Sequence, residues 1–232
     1  GVGRVRLDGP VTVDDVARQL PAIAVLREHC RSLAMVEACL SPEWADRYHS
    51  FDDHWSEGES TASMRNGSGD EYSIVFSAVG AYVRGFDHES PMSPYAEDEG
   101  RPWPGVLDQV PDVFQPCVEE PVFSDGGMPR VTACIWREAG DDSWRTGAID
   151  FPYRQMDDSD GADYLFQLLV DRSPEAFQQW AEDYYEVPVD LEAVRHVLAS
   201  RPLTEAVVRS LNAEVALRDL AEDIAEIGYP IG

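Results

Sequence analysis

Asn66-Gly67-Ser68-Gly69-Asp70 separates two stretches whose residues alternate between apolar and polar, and no other segment constrains the fold as much. Asn-Gly followed by a second glycine accepts the left-handed backbone of a tight hairpin turn. The pattern predicts a strand over Ala62 to Arg65 and another through Tyr72, Ile74 and Phe76. After Gly80 a third runs from Tyr82 to Phe86, giving an antiparallel meander. A second hairpin is expected from Val131 to Arg137 and Trp144 to Ile149, across Gly140-Asp141-Asp142. Together these supply about five strands, an ordinary sheet.

The period is helical on both sides of this block. Thr12 and Asp15 have capping-box spacing, and Pro21 interrupts the pattern. Ile23, Leu26, Cys30, Leu33, Val36 and Leu40 then recur as one apolar face. Ser41-Pro42 reads as the N-cap and first position of a short helix through Trp44. From Gly161 onward the chain reads as helices, capped at Ser173, Asp190, Thr204 and Asn212 and stopped by Gly228 and Pro230. The expected fold class is α+β: an antiparallel sheet of about five strands flanked by an N-terminal amphipathic helix and a C-terminal run of helices. We read one domain over 1–232, with a helical part at 12–58, a sheet part at 61–150 and a second helical part at 161–232. The stretch 87–105 is a long loop, because Pro91, Pro94, Pro102 and Pro104 interrupt regular structure.

Charge excludes several functions. Asp+Glu number 44 against 18 basic residues, all arginine, for a formal net charge of −26. Without lysine there is no Schiff base, Walker-A lysine or lysine general base. A surface this negative repels phosphate polyanions, so no direct nucleic-acid ligand and no membrane partner are expected. A 44% hydrophobic fraction with 6 Trp still fills a core. Cys30, Cys39, Cys117 and Cys134 form no C-x-x-C pair and read as free buried thiols. No basic leader with an apolar segment opens the sequence, and no apolar run spans a bilayer; the expected location is the cytoplasm.

Arg84-Gly85-Phe86-Asp87-His88-Glu89 brings an imidazole and two carboxylates off one strand end, with Arg84 on the anion side. Asp87, His88 and Glu89 are the candidate acid/base or metal-binding residues, the alternative being a histidine that only anchors the loop. Asp52 and His54, in Asp52-Asp53-His54-Trp55, are further metal candidates, against a solvated turn. Asn66, Ser68 and Asp70 alternate like the start of a calcium loop. Glu71 and Ser77 stand where an EF-hand needs glycine and glutamate, so a plain turn is expected. Asp219, Glu222, Asp223 and Glu226 on the last helix, with Glu182, Asp183 and Glu186 earlier, are candidates for meeting a basic partner, against a merely solvated face. Trp180, Tyr184 and Tyr185 read as helix-packing residues. No nucleotide-binding or nucleophile-elbow motif occurs, and no cofactor is expected.

Ser63 to Tyr72, Gly85 to Ser90, Trp103-Pro104-Gly105-Val106 and Ala181 to Val187 resemble an uncharacterised family of bacterial proteins. That resemblance implies a bacterial cytosolic protein and transfers no catalytic residue. The order of helices, sheet and helices is also similar in architecture to SUKH-type immunity proteins. The net charge of −26 and the absence of catalytic motifs make the leading expectation a non-enzymatic, immunity-like or regulatory protein that binds a basic protein through carboxylates. The alternatives are a small metal-dependent or acid/base enzyme using Asp87-His88-Glu89, and a mimic of DNA that occupies a nucleic-acid-binding protein.

Overall fold

The computed structural model describes residues 11–97, 100–152 and 159–232. The strands are β1 His49–Ser56, β2 Glu59–Arg65, β3 Glu71–Ser77, β4 Gly80–Phe86, β5 Ser124–Asp125, β6 Met128–Pro129 and β7 Ala133–Glu138. Five form one antiparallel sheet in the order β1-β2-β3-β4-β7, while β5 and β6 make a separate two-residue hairpin. The helices are α1 Val13–Gln19, α2 Ile23–Leu40, α3 Gln115–Val118, α4 Ala162–Leu165, α5 Gln167–Val170, α6 Pro174–Tyr185, α7 Leu191–Leu198, α8 Glu205–Leu211 and α9 Ala221–Ile227. The class is α+β, as the change of period predicts.

The membership of the sheet differs from the sequence reading. Trp144 to Ile149 makes only one bridge, Arg145 to Trp136. The remaining strand is β1, whose residues pair with β2 from His49↔Met64 to Asp52↔Thr61. The acidic pair within β1 disguises it. Phe51 is buried, while Asp53 receives Arg31 Nη2 at 2.9 Å and Arg27 Nη2 at 3.4 Å. Ser41 ends α2 instead of opening a helix, and a 3₁₀ turn at Trp44–Asp46 follows. Asn212 likewise follows α8, its Oδ1 accepting from Glu214 N, and a 3₁₀ turn at Leu217–Leu220 leads into α9.

The chain forms two compact units. The first comprises Gly1–Leu20, Gly69–Tyr72 and Val79–Gln167, the second Pro21–Ser68, Ser73–Ala78 and Leu168–Gly232. In the first, α1 begins at the predicted capping box, with Thr12 N–H donating to Asp15 Oδ2 at 3.0 Å. Such a cap is worth about 1 kcal/mol. The buried Asp160 carboxylate accepts Val13 N at 2.9 Å, tying the start of α1 to the segment entering α4. Tyr82, Met92, Val106, Phe114, Cys134 and Trp136 form the core beneath the proline-rich loop.

In the second unit α2 is the central rod, packed by β1, α7, α8 and α9. Of its predicted apolar face Leu26, Cys30, Leu33 and Val36 are buried and Ile23 and Leu40 half-buried, while His29, Ser32 and Glu37 are buried as well. Gly228 closes α9 in the left-handed conformation, φ 71°, and a Cβ there would lie 2.6 Å from Asp53 Oδ2.

Candidate functional site

The loop leaving β4 and the residue preceding β3 build one corner of the first unit. Asp87 N–H donates to Thr132 Oγ1 at 3.1 Å, which turns the chain off the ladder. Its carboxylate accepts Glu89 N at 2.9 Å, closing an Asx turn. Asp70 Oδ1 accepts twice from His88, from the backbone N at 3.0 Å and from ring Nδ1 at 2.6 Å. Gly69, φ +109°, lies under the imidazole, where a Cβ would be 3.3 Å from His88 Cγ. Gly161, φ +79°, presses on Asp87 so closely that a Cβ would sit 2.4 Å from the aspartate Cβ. Ser90 Oγ donates to Ser159 O at 2.6 Å and accepts Met92 N at 3.0 Å, pinning the next turn.

Asp70, Asp87 and His88 each offer a ligand atom, and the three atoms lie within 4.8 Å of one another. The burial is graded: Asp70 is buried, Asp87 half-buried and His88 exposed. His88 Nε2 faces Glu89 Oε1 at 3.8 Å. The hydrogen bond that the His88 ring donates to Asp70 raises the His88 pKa, and the surrounding carboxylates add to it. Burial raises the Asp87 carboxyl above its usual range, with the Asp70 charge adding to that.

The sequence singled out Asp87, His88 and Glu89 but treated Asp70 as a turn residue. Hairpin arithmetic is the signal that finds it. Strands joined by a short turn place the residue before the first opposite the residue after the second, here Asp70 and Asp87. Arg84 lies elsewhere: it is buried, with Nη2 donating to Glu71 Oε1 at 2.8 Å and to Arg130 O at 2.6 Å, and it packs over Phe123. Burial pushes Glu71 upward, yet Arg84 and Arg130 outweigh that and hold its pKa below the usual value. This ion cluster anchors β4 to the segment before β7.

The other candidates belong to the second unit. Asp52 and His54 lie on β1, with Asp52 Oδ1 accepting His54 N at 2.8 Å. Of the acids near and on α9, Asp223 accepts Arg47 Nη1 at 2.7 Å and Asp219 accepts Ala216 N at 3.0 Å. Glu222 and Glu226 are exposed, and burial followed by Asp52 and Asp223 raises the Glu226 pKa. Glu182 accepts Val189 N at 3.0 Å, Asp183 accepts Gln179 Nε2, and Glu186 ends α6 in the left-handed region, φ 54°.

One polar cluster escaped the sequence reading. Glu37 on α2, fully buried, accepts His49 Nδ1 at 2.6 Å, Tyr48 N at 3.2 Å and the Tyr185 hydroxyl. Trp180 and Tyr184 stack on each other with ring centroids 5.3 Å apart, and Tyr48 and His49 pack against Trp180. Tyr185 thus packs, as expected, and also supplies a hydrogen bond to a buried carboxylate. A glutamate inside an apolar helix face carries no sequence signal for its partners. The cysteines are free; Cys30, Cys39 and Cys134 are buried, and burial pushes Cys39 and Cys134 up to about 12, which makes them poor nucleophiles. Among the described residues no helix is long and apolar enough to cross a membrane. No family model, no curated protein and no solved structure matches the chain.

Proposed function

We propose that the corner formed by Asp70, Asp87 and His88 binds a divalent cation. The convergence of one imidazole and two carboxylates within 4.8 Å carries this reading. Mixed imidazole and carboxylate ligands suit first-row divalent ions such as zinc or manganese. Three protein ligands at an exposed corner leave coordination positions for water or a substrate, the arrangement metal-assisted hydrolysis uses. Calorimetric titration with zinc, manganese, magnesium and calcium tests it. We expect one bound ion for at least one metal, and a raised melting temperature in its presence, about 2.7 kcal/mol of stabilisation at a hundredfold excess over Kd. His88→Ala and Asp87→Asn should remove both. Wild type and His88→Ala behaving alike across the panel would reject the site.

A second reading, that the protein binds a basic protein partner through carboxylates, is supported by the net charge of −26 and by the exposure of Glu222 and Glu226. Affinity capture at low and high salt tests it: a basic partner should be retained at low salt and released at high salt. Recovery of no protein at either salt would count against it. Duplex DNA competing for the captured partner would mark DNA mimicry instead.

A further inference from the structure

A cavity of about 500 Å³ opens in the first unit at the end of the proline-rich loop, and none of the residues of the Asp70 corner lines it. Trp103, Pro104, Asp108, Gln109 and Asp150 line it. Its charged lining residues are two aspartates, and among the described residues no arginine lines it. An aromatic ring beside two carboxylates gives the lining its chemical character.

The walls are set by contacts inside the unit. The Trp103 indole Nε1–H donates to Asp150 O at 3.0 Å, which fixes the ring beside the Asp150 backbone. Asp108 Oδ2 accepts Gly105 N at 2.7 Å, and Gln109 Oε1 accepts Ala148 N at 2.8 Å. Two backbones cross beside it, at Gly105 and Gly147, as closely as only glycine permits. A Cβ on Gly105, φ +91°, would lie 2.1 Å from Ala148 O, and one on Gly147 would lie 1.8 Å from Gly105 O. An indole beside carboxylates is the chemistry that recognises an organic cation: the ring attracts positive charge, and the carboxylates neutralise it. Preorganised walls reduce the ordering cost of binding.

We infer that this cavity is a receptor for a guanidinium or quaternary ammonium group. Two sources supply that chemistry, the arginine side chain of a basic protein segment and a free small cation, and the site is independent of the metal reading above.

The test is a titration of the ¹⁵N-labelled protein followed on its tryptophan indole N–H resonances, with N-acetyl-arginine amide, choline and the neutral isostere N-acetyl-citrulline amide. The Trp103 signal is the one lost in Trp103→Phe. We expect it to shift saturably with a cation and the citrulline compound to bind about tenfold more weakly. Asp150→Asn, at an exposed position, should weaken cation binding several-fold by calorimetry, which keeps the test valid even if Trp103→Phe misfolds. Tighter binding of the arginine compound identifies a basic protein segment as the source, tighter binding of choline a free cation. No saturable shift with either cation, equal binding of the citrulline compound, or an Asp150→Asn protein that binds as wild type would each overturn the assignment.

Discussion

Acidifying the protein charges a histidine that the fold holds neutral. His29 lies on α2, 9% exposed, and donates Nε2–H to Leu168 O at 2.7 Å. Burial lowers its pKa from 6.5 to about 4, outweighing the backbone hydrogen bond, and the positive charge of Arg172 adds to the effect. The native state therefore binds fewer protons here than the unfolded chain between those two values. The contribution of a neutral His29 is complete above 6.5 and is lost as pH falls toward 4. Each pH unit in that window costs about 1.4 kcal/mol, so the loss reaches about 2 kcal/mol near pH 5 and about 3 kcal/mol at its limit. Every carboxylate also responds to acid, so the measurement is a difference. His29→Gln keeps an amide N–H for the Leu168 carbonyl but does not titrate. Urea unfolding of both proteins at about pH 7.5 and about pH 5 should show the wild-type advantage shrinking by about 2 kcal/mol. An advantage that stays the same at both pH values would refute the reading of a desolvated neutral imidazole.

Tyr185→Phe removes one of three donors to the fully buried Glu37 and should lower unfolding free energy by about 1–3 kcal/mol in urea titration, with no change at the Asp70 corner. Gly161→Ala places a Cβ 2.4 Å from that of Asp87 at φ +79°, so it should cost about 1–3 kcal/mol in a thermal melt and abolish cation binding. Cation binding requires an unprotonated His88, whose pKa the Asp70 hydrogen bond raises. Affinity should therefore fall with acid from above pH 6.5, and Asp70→Asn should return the imidazole toward its ordinary value in an NMR titration.

Legibility in the sequence followed the local character of each signal. The capping box at Thr12, the apolar face of α2, the hairpin turn before Asp70 and the glycine closing α9 are short-range patterns, and the structure contains each of them. The misreadings came from partners distant in sequence. Asp53 looks like a turn residue until Arg27 and Arg31 accompany it from α2, which lets β1 exist as a strand. Trp144 to Ile149 alternates correctly for a strand, yet Gly147 meets the Gly105 backbone and leaves the ladder after one bridge. Asp87 and His88 were visible as chemistry, but Asp70 became part of the same corner only through strand pairing. Glu37 and His49, 12 positions apart, meet because α2 packs on β1.

The crossing of Gly105 over Gly147 also gives the chain a non-covalent clasp. The segment between these two residues carries β5, β6 and β7, and β7 is held as well by its ladder with β4. At the far end, the exposed turn at Gly126 and Gly127 has open space around both positions, with nothing within 4 Å of an added Cβ. A foreign peptide or small domain spliced into that turn would be carried on a hairpin closed by the pairing of Ser124 with Pro129, which makes it a natural graft point for building on this scaffold.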